Sequence, residues 1–116
     1  FAAIVTSGTA TLETALFRVP QMVCYRSSFL SYQIAKRIIT LPFISLVNLI
    51  MDKAVVSEIL QNEFTVDRIA EELKLITESE KRNQLLTAYE QLHSKLSAGG
   101  ASTKTAVAMV ELLRKK

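Results

Sequence analysis

The sequence has 116 residues, 49% hydrophobic and 22% charged, with a mean hydropathy of +0.24; this excludes a disordered or fibrous chain and leaves a globular α/β unit with room for one core. The formal net charge of +3 is spread, with five basic and four acidic side chains in residues 1–64 against nine and seven in 65–116. That pattern leaves no nucleic-acid-binding face, and the basic end Arg114, Lys115 and Lys116 reads as a solvated tail.

Phe1 to Thr6 is apolar and rich in Ile and Val, and Ser7-Gly8-Thr9 breaks it, so a buried strand enters a tight turn. The run has no basic n-region and no starting methionine, which predicts no signal peptide and points to a fragment of a longer protein. A helix follows, with Ala10, Leu12, Ala15 and Leu16 as its apolar positions, Thr9 or Ser7 as its cap, and Pro20 just past its end. Gln21 to Tyr25 is a second strand. Two fully apolar strands joined by a helix predict a parallel sheet covered on both faces. The single cysteine, Cys24, lies in this run and has no internal disulfide partner, so it is expected as a buried thiol in a reducing, cytosolic compartment.

Ser27 or Ser28 caps the next predicted helix, in which Phe29, Leu30, Ile34, Arg37 and Ile38 keep helical spacing until Pro42 stops it. The longest charge-free stretch, Ile38 to Met51, is 14 residues long and holds Thr40, Pro42, Ser45 and Asn48, too short and too polar to span a bilayer. Phe43 to Ile50 reads as an extended segment carrying Asn48, and Asp52 to Asn62 as a short helix with Val55, Val56, Ile59 and Leu60 inward.

From Thr65 the pattern changes to charged amphipathic helices. One stripe is Val66, Ile69, Ala70, Leu73 and Ile76; the next is Leu85, Leu86, Tyr89, Leu92 and Leu96; the third is Ala106, Val107, Val110 and Leu113, set off by Gly99-Gly100. The expected organisation is an α/β portion over 1–64, with helices of 65–116 packed on it.

The string Ser7-Gly8-Thr9-Ala10-Thr11-Leu12-Glu13 falls at the carboxyl end of a parallel strand and the start of a helix, where open α/β sheets bind ligands. Helix-start N–H groups and the positive end of the dipole favour an anion, Gly8 lets a phosphate approach, and Thr9 adds a hydroxyl donor. Glu13 lies about one turn further along, where a carboxylate accepts both hydroxyls of a ribose. The plain alternatives are a helix cap for Ser7-Gly8-Thr9 and a first-turn dipole partner for Glu13. No Cys/His/Asp cluster has metal-ligand spacing, so neither metal nor cofactor is expected. His93, the only histidine, falls among charged residues on a predicted helix and reads as solvated.

The strings TSGTATLE (Thr6 to Glu13), CYR (Cys24 to Arg26), AKR (Ala35 to Arg37) and ISLVNLI (Ile44 to Ile50), in this order and at these intervals, resemble the C-terminal domain of the lipid-A-disaccharide synthases, with weaker similarity through Val56 to Gln61 and beyond. The resemblance implies the C-terminal, Rossmann-like half of a GT-B glycosyltransferase, the half that holds the UDP-sugar. It also implies inverting transfer of 2,3-diacylglucosamine from its UDP form to 2,3-diacylglucosamine 1-phosphate, giving a β-1,6 disaccharide and UDP. On this resemblance the substrate-binding residues are Gly8 and Thr9 at the diphosphate, Thr11 beside them in the motif, Glu13 at the ribose and Asn48 near the phosphates or sugar. Tyr25 and Arg26 match too, and are either substrate-facing or structural. The family's proposed catalytic base lies in its N-terminal domain, so no catalytic residue is expected in this chain. Val47 departs from the family's usual proline before Asn48.

Both implied substrates are lipids, and Phe29, Leu30 and Tyr32 beside Lys36 and Arg37 could rest on an anionic inner leaflet, unless the apolar members are core. The expected setting is therefore cytoplasmic or peripheral on the inner membrane, with a homodimer among the expected partners. Two other readings are the matching domain of the peptidoglycan-type N-acetylglucosaminyltransferase, which lacks the ISLVNLI match, and a helical interaction module suggested by residues 65–116.

Overall fold

The computed structural model describes residues 1–6, 8–28 and 42–115. Three strands, β1 (Ala3–Val5), β2 (Gln21–Tyr25) and β3 (Ser57–Leu60), form one sheet in the order β1-β2-β3. Both pairings are parallel, with Val5 opposite Val23 and Tyr25 opposite Leu60. Five helices accompany the sheet among the described residues: α1 (Thr9–Leu16), α2 (Leu46–Met51), α3 (Val66–Thr77), α4 (Ser79–Leu96) and α5 (Ala101–Arg114). The parallel α/β arrangement agrees with the Rossmann-like half that the resemblance implies.

The β1-turn-α1-β2 unit forms as its composition dictates, with β1 shorter than the apolar run. β2 is the centre of the molecule. Met22, Val23 and Cys24 point alternately to its two faces, and all three are buried, so both faces are covered as a parallel sheet requires. Burial raises the pKa of the Cys24 thiol, which keeps it protonated and unreactive. β1 is less covered, with Ile4 exposed.

Two assignments change between Phe43 and Asn62. The segment expected to be extended holds α2, because Ser45 caps a helix: its hydroxyl accepts from the Asn48 N–H, and Asp52 ends the helix in the left-handed conformation with φ 52°. The segment expected to be a short helix holds β3, with Val56 and Ile59 buried and Leu60 paired opposite Tyr25. Short apolar runs fit either structure by periodicity, and here the open pairing edge of β2 decides in favour of a strand. The helix expected between Ser28 and Pro42, and the patch Phe29, Leu30, Tyr32, Lys36 and Arg37 with it, lie outside the described residues.

α3 packs on β2, β3 and α4. Thr65 caps it by accepting from the Arg68 N–H. Its inward face is rotated from the expected stripe: Ile76 and Glu72 are buried, whereas Val66 is fully outward. The Glu72 carboxylate accepts from the Ser57 hydroxyl and from Arg68 at 3.2 Å, with the Lys81 ammonium 4.0 Å away, so its charge is compensated inside the fold. α4 buries Leu85, Tyr89 and Leu92 against the body, and Leu96 is exposed. α5 differs from both, since each of its residues is exposed, including the expected stripe Ala106, Val107, Val110 and Leu113.

Candidate functional site

The turn between β1 and α1 is built around Gly8. It occupies the N-cap of α1 with φ 79° and ψ −155°, a backbone geometry essentially reserved for glycine; Thr9, one of the two expected caps, is instead the first residue of α1, and the other, Ser7, lies outside the described residues. A Cβ placed on Gly8 would meet nothing within 4 Å. The glycine is therefore required by backbone angle, and among the described residues nothing fills the space in front of it. The first N–H groups of a helix have no intrahelical acceptor; here the Thr11 N–H meets the Gly8 carbonyl at 3.2 Å, and among the described residues no side-chain cap occupies the others. Thr9 and Glu13 are both exposed on the helix that follows.

Thr11 is fully buried. Its hydroxyl donates to the Gly8 carbonyl at 2.8 Å, and its own carbonyl accepts from Gln21 Nε2 at 2.8 Å. Its side chain thus braces the turn from behind and offers nothing to the open space.

The strand register carries two more sequence-derived residues to this end of the sheet. Tyr25 is the last residue of β2 and is 39% exposed, so it is not a core residue, and Arg26 directly after it is exposed. Arg26 makes no ion pair among the described residues. Since Val5 is level with Val23, the Gly8 turn and the Tyr25-Arg26 pair leave the sheet on the same, C-terminal side. A guanidinium and a helix start on one edge form an electropositive environment suited to a phosphorylated ligand.

Asn48 sits elsewhere. It is 1% exposed, and its amide is spent inside the chain: Nδ2 donates to Val56 O at 2.9 Å and to Glu58 Oε1 at 3.0 Å, while Oδ1 accepts from the Val55 and Val56 N–H groups at 2.8 and 2.9 Å. Glu58 also accepts from the Ile44 and Ser45 N–H groups. Asn48 and Glu58 together clasp α2 to the start of β3, the opposite end of that strand from Leu60. The clasp also shows how Asn48 is presented without the family's proline: the Ser45 cap and the two acceptors of Glu58 fix the first turn of α2, where Val47 is buried.

One residue that sequence reasoning passed over joins the C-terminal edge. Gln61 follows β3 directly, holds φ at 50°, and donates from Nε2 to Ser27 Oγ at 3.1 Å, tying the exits of β2 and β3 together. A non-glycine residue at positive φ is uncommon and costs energy that the surroundings must supply. The polar run Gln61-Asn62-Glu63 directly after Ile59-Leu60 would have marked the site had that segment been read as a strand.

Three clefts lined by described residues lie apart from this edge. Cavities of about 420 and 400 Å³ run along α4, lined by Lys53, Asn83 and Gln91 in the first and by Arg18, Glu90 and His93 in the second; neither includes a sequence-derived site residue. A third, of about 330 Å³, borders Asn48, Glu58 and Lys81. His93 is exposed and its ring meets the Ser97 hydroxyl. Among the described residues no group of three or more His, Cys, Asp or Glu side chains could hold a metal ion.

Comparison with known proteins identifies the family. Residues 1–111 match the family model described as lipid-A-disaccharide synthetase. The chain belongs to that family. Relatives named lipid-A-disaccharide synthase include one from Acidobacterium capsulatum, 42% identical over 99% of this chain and 30% of its own length. Others come from Myxococcus xanthus, 38% identical over 97% and 30%, and Chromobacterium violaceum, 41% identical over 96% and 29%. The chain therefore spans about 30% of the length of these curated relatives. The match separates the synthetase family from the peptidoglycan-type enzyme, and it runs through α3, α4 and most of α5, the region behind the interaction-module reading. No helix among the described residues is long and apolar enough to cross a membrane.

Proposed function

We propose that this chain is the donor-binding portion of a lipid A glycosyltransferase, the part that holds UDP-2,3-diacylglucosamine while its sugar passes to 2,3-diacylglucosamine 1-phosphate. The observation that carries the reading is the Gly8 turn: a helix start at the C-terminal edge of a parallel sheet, with no side-chain cap and no filling side chain before it among the described residues, in a chain of the synthetase family. Gly8 and Thr9 meet the diphosphate, Arg26 adds a fixed positive charge, and Glu13 takes the ribose hydroxyls one turn along. Tyr25 and Gln61 flank the sugar side of that edge. Thr11 and Asn48 serve from within, holding the turn and α2 in place.

In the transfer, the 6-hydroxyl oxygen of the acceptor attacks the anomeric carbon, and the bond from that carbon to the diphosphate oxygen breaks with inversion. UDP leaves with the electron pair. Helix-start N–H groups and Arg26 stabilise the charge that grows on the diphosphate, the general strategy of preorganised donors aimed at a leaving group. The acceptor's proton goes to a base outside these 116 residues. Residues 1–64 form the donor portion, and α3 and α4 brace it. The exposed stripe of α5 is where we place contact with the rest of the protein or with a second copy, and the lipid substrates imply peripheral work at the inner membrane from the cytoplasmic side.

The test is calorimetric titration of the chain with UDP, with ADP as control, at protein concentrations that reach a millimolar site. Selective UDP binding is the expected result. A folded sample that binds neither nucleotide, or both equally, overturns the donor reading for this chain.

A further inference from the structure

The core holds polar groups that the packing alone does not call for. Gln21, the first residue of β2, is fully buried among apolar neighbours, and Tyr89 of α4 is 1% exposed. A methionine or leucine at position 21 would fill similar space without desolvating an amide. Gln21 Nε2 donates to Thr11 O at 2.8 Å. Thr11 in turn holds Gly8 twice, its hydroxyl donating to Gly8 O at 2.8 Å and its N–H to the same carbonyl at 3.2 Å. Gln21 Oε1 and Tyr89 Oη lack a completed hydrogen bond among the described residues. They are complementary groups, a carbonyl acceptor and a phenol donor. Burial pushes the Tyr89 hydroxyl up to about 12, and α4, which carries it, packs against α1, the helix that begins at the Gly8 turn.

We infer that Gln21 is a positioning residue for the Gly8 turn, carrying the placement of α4 through Tyr89 and Thr11 to the backbone that would receive the diphosphate. The physical need is clear from Gly8 itself. Its φ and ψ lie in a glycine-only region, and among the described residues nothing lies within 4 Å of where its Cβ would stand. A backbone with that freedom needs an outside hold to keep its N–H groups aimed. The hold comes from behind, through Thr11, whose carbonyl Gln21 grips. This inference rests on the donor reading for its ligand, while the coupling itself is a property of the fold.

The test uses Gln21→Met, which conserves volume and removes the amide, with Tyr89→Phe as a second variant that removes only the hydroxyl. Two readouts are taken on the chain. The first is binding of UDP and of uridine: Gln21→Met is expected to weaken UDP about fivefold, the scale of one lost buried hydrogen bond, and to leave uridine within twofold, because Glu13 does not depend on the turn. Tyr89→Phe should show a smaller loss of the same kind. The second is amide hydrogen exchange, expected to accelerate at Gly8 to Leu12 in Gln21→Met while the β2 amides keep their protection.

Equal losses for UDP and uridine, or unchanged UDP affinity, overturn the positioning role, as does unchanged exchange at Gly8 to Leu12. If the unsubstituted chain takes up no UDP, the donor reading fails, and the exchange result still decides the coupling. If Gln21→Met does not fold, the same two readouts on Tyr89→Phe decide it.

Discussion

Asn48→Ala separates two roles for one residue. As a ligand contact, Asn48 would be dispensable for folding; as a clasp, it is not. The side chain makes four hydrogen bonds, at 2.8 to 3.0 Å. Three involve the Val55 and Val56 backbone, and the fourth meets the Glu58 carboxylate. At about 1 kcal/mol net for each neutral bond and somewhat more for the charged one, with Val56 polar groups left buried, truncation should cost about 4 kcal/mol. That is a large share of the roughly 5 to 15 kcal/mol that holds a domain together.

Asn48→Asp sharpens the test. It keeps the acceptor for Val55 and Val56 but sets a second carboxylate against Glu58, where Nδ2 now stands 3.0 Å from Oε1. Like charge and burial raise the new carboxyl's folded-state pKa above the roughly 3.9 of an unfolded aspartate. Its penalty is therefore absent below about pH 4 and grows as pH rises through the folded-state value. Urea unfolding at pH 7 and pH 4, followed by circular dichroism, should show the deficit of Asn48→Asp shrinking on acidification, while that of Asn48→Ala, measured against the unsubstituted chain, stays constant. If Asn48→Ala loses under 1 kcal/mol of stability yet binds UDP much more weakly, the clasp is wrong and the amide faces the ligand.

Three further outcomes are expected. Glu13→Ala should weaken UDP by about 1.5 to 3 kcal/mol through lost ribose hydrogen bonds, with thermal stability unchanged because Glu13 is exposed; equal affinities by calorimetry would remove the ribose assignment. Gly8→Ala meets no neighbour, so its cost is backbone strain of about 1 to 3 kcal/mol, together with a UDP loss that a phosphate-free uridine control does not share; an unstrained variant with full UDP affinity would refute the turn geometry. Tyr89 titrates at about 12 in the fold against 10.0 unperturbed, so stability is intact below pH 10 and falls as pH rises from there toward 12, by up to about 3 kcal/mol. Denaturation followed by phenolate absorbance should show that loss, and Tyr89→Phe should abolish this part of it.

Much of the architecture was legible in the residues. An apolar run broken at Gly8, a helix stopped before Pro20 and the apolar stretch Gln21 to Tyr25 determine β1, α1 and β2, because glycine, proline and continuous hydrophobicity constrain the backbone wherever they occur. Leu85, Tyr89 and Leu92 likewise announce the inner face of α4 by their spacing. The same logic failed between Phe43 and Asn62, where a Ser45 cap and the free edge of β2 outweighed ambiguous short runs. It also rotated the face of α3, since buried Glu72 gains Ser57, Arg68 and Lys81 as partners that no local pattern discloses.

For the site the division is similar. TSGTATLE marks a strand-turn-helix junction with glycine at the helix start, the turn we propose faces the ligand, and it names Glu13 with it. Whether a polar side chain in a motif looks outward is set by partners far away in the chain, and only the tertiary structure decided that. Thr11 turns inward to Gly8 and Gln21, Asn48 is saturated by Val55, Val56 and Glu58, and Gln61 reaches the ligand edge solely because β3 pairs with β2. Sequence determines what each segment can form; the hydrogen bonds and register made between distant segments determine which groups remain free to meet a substrate.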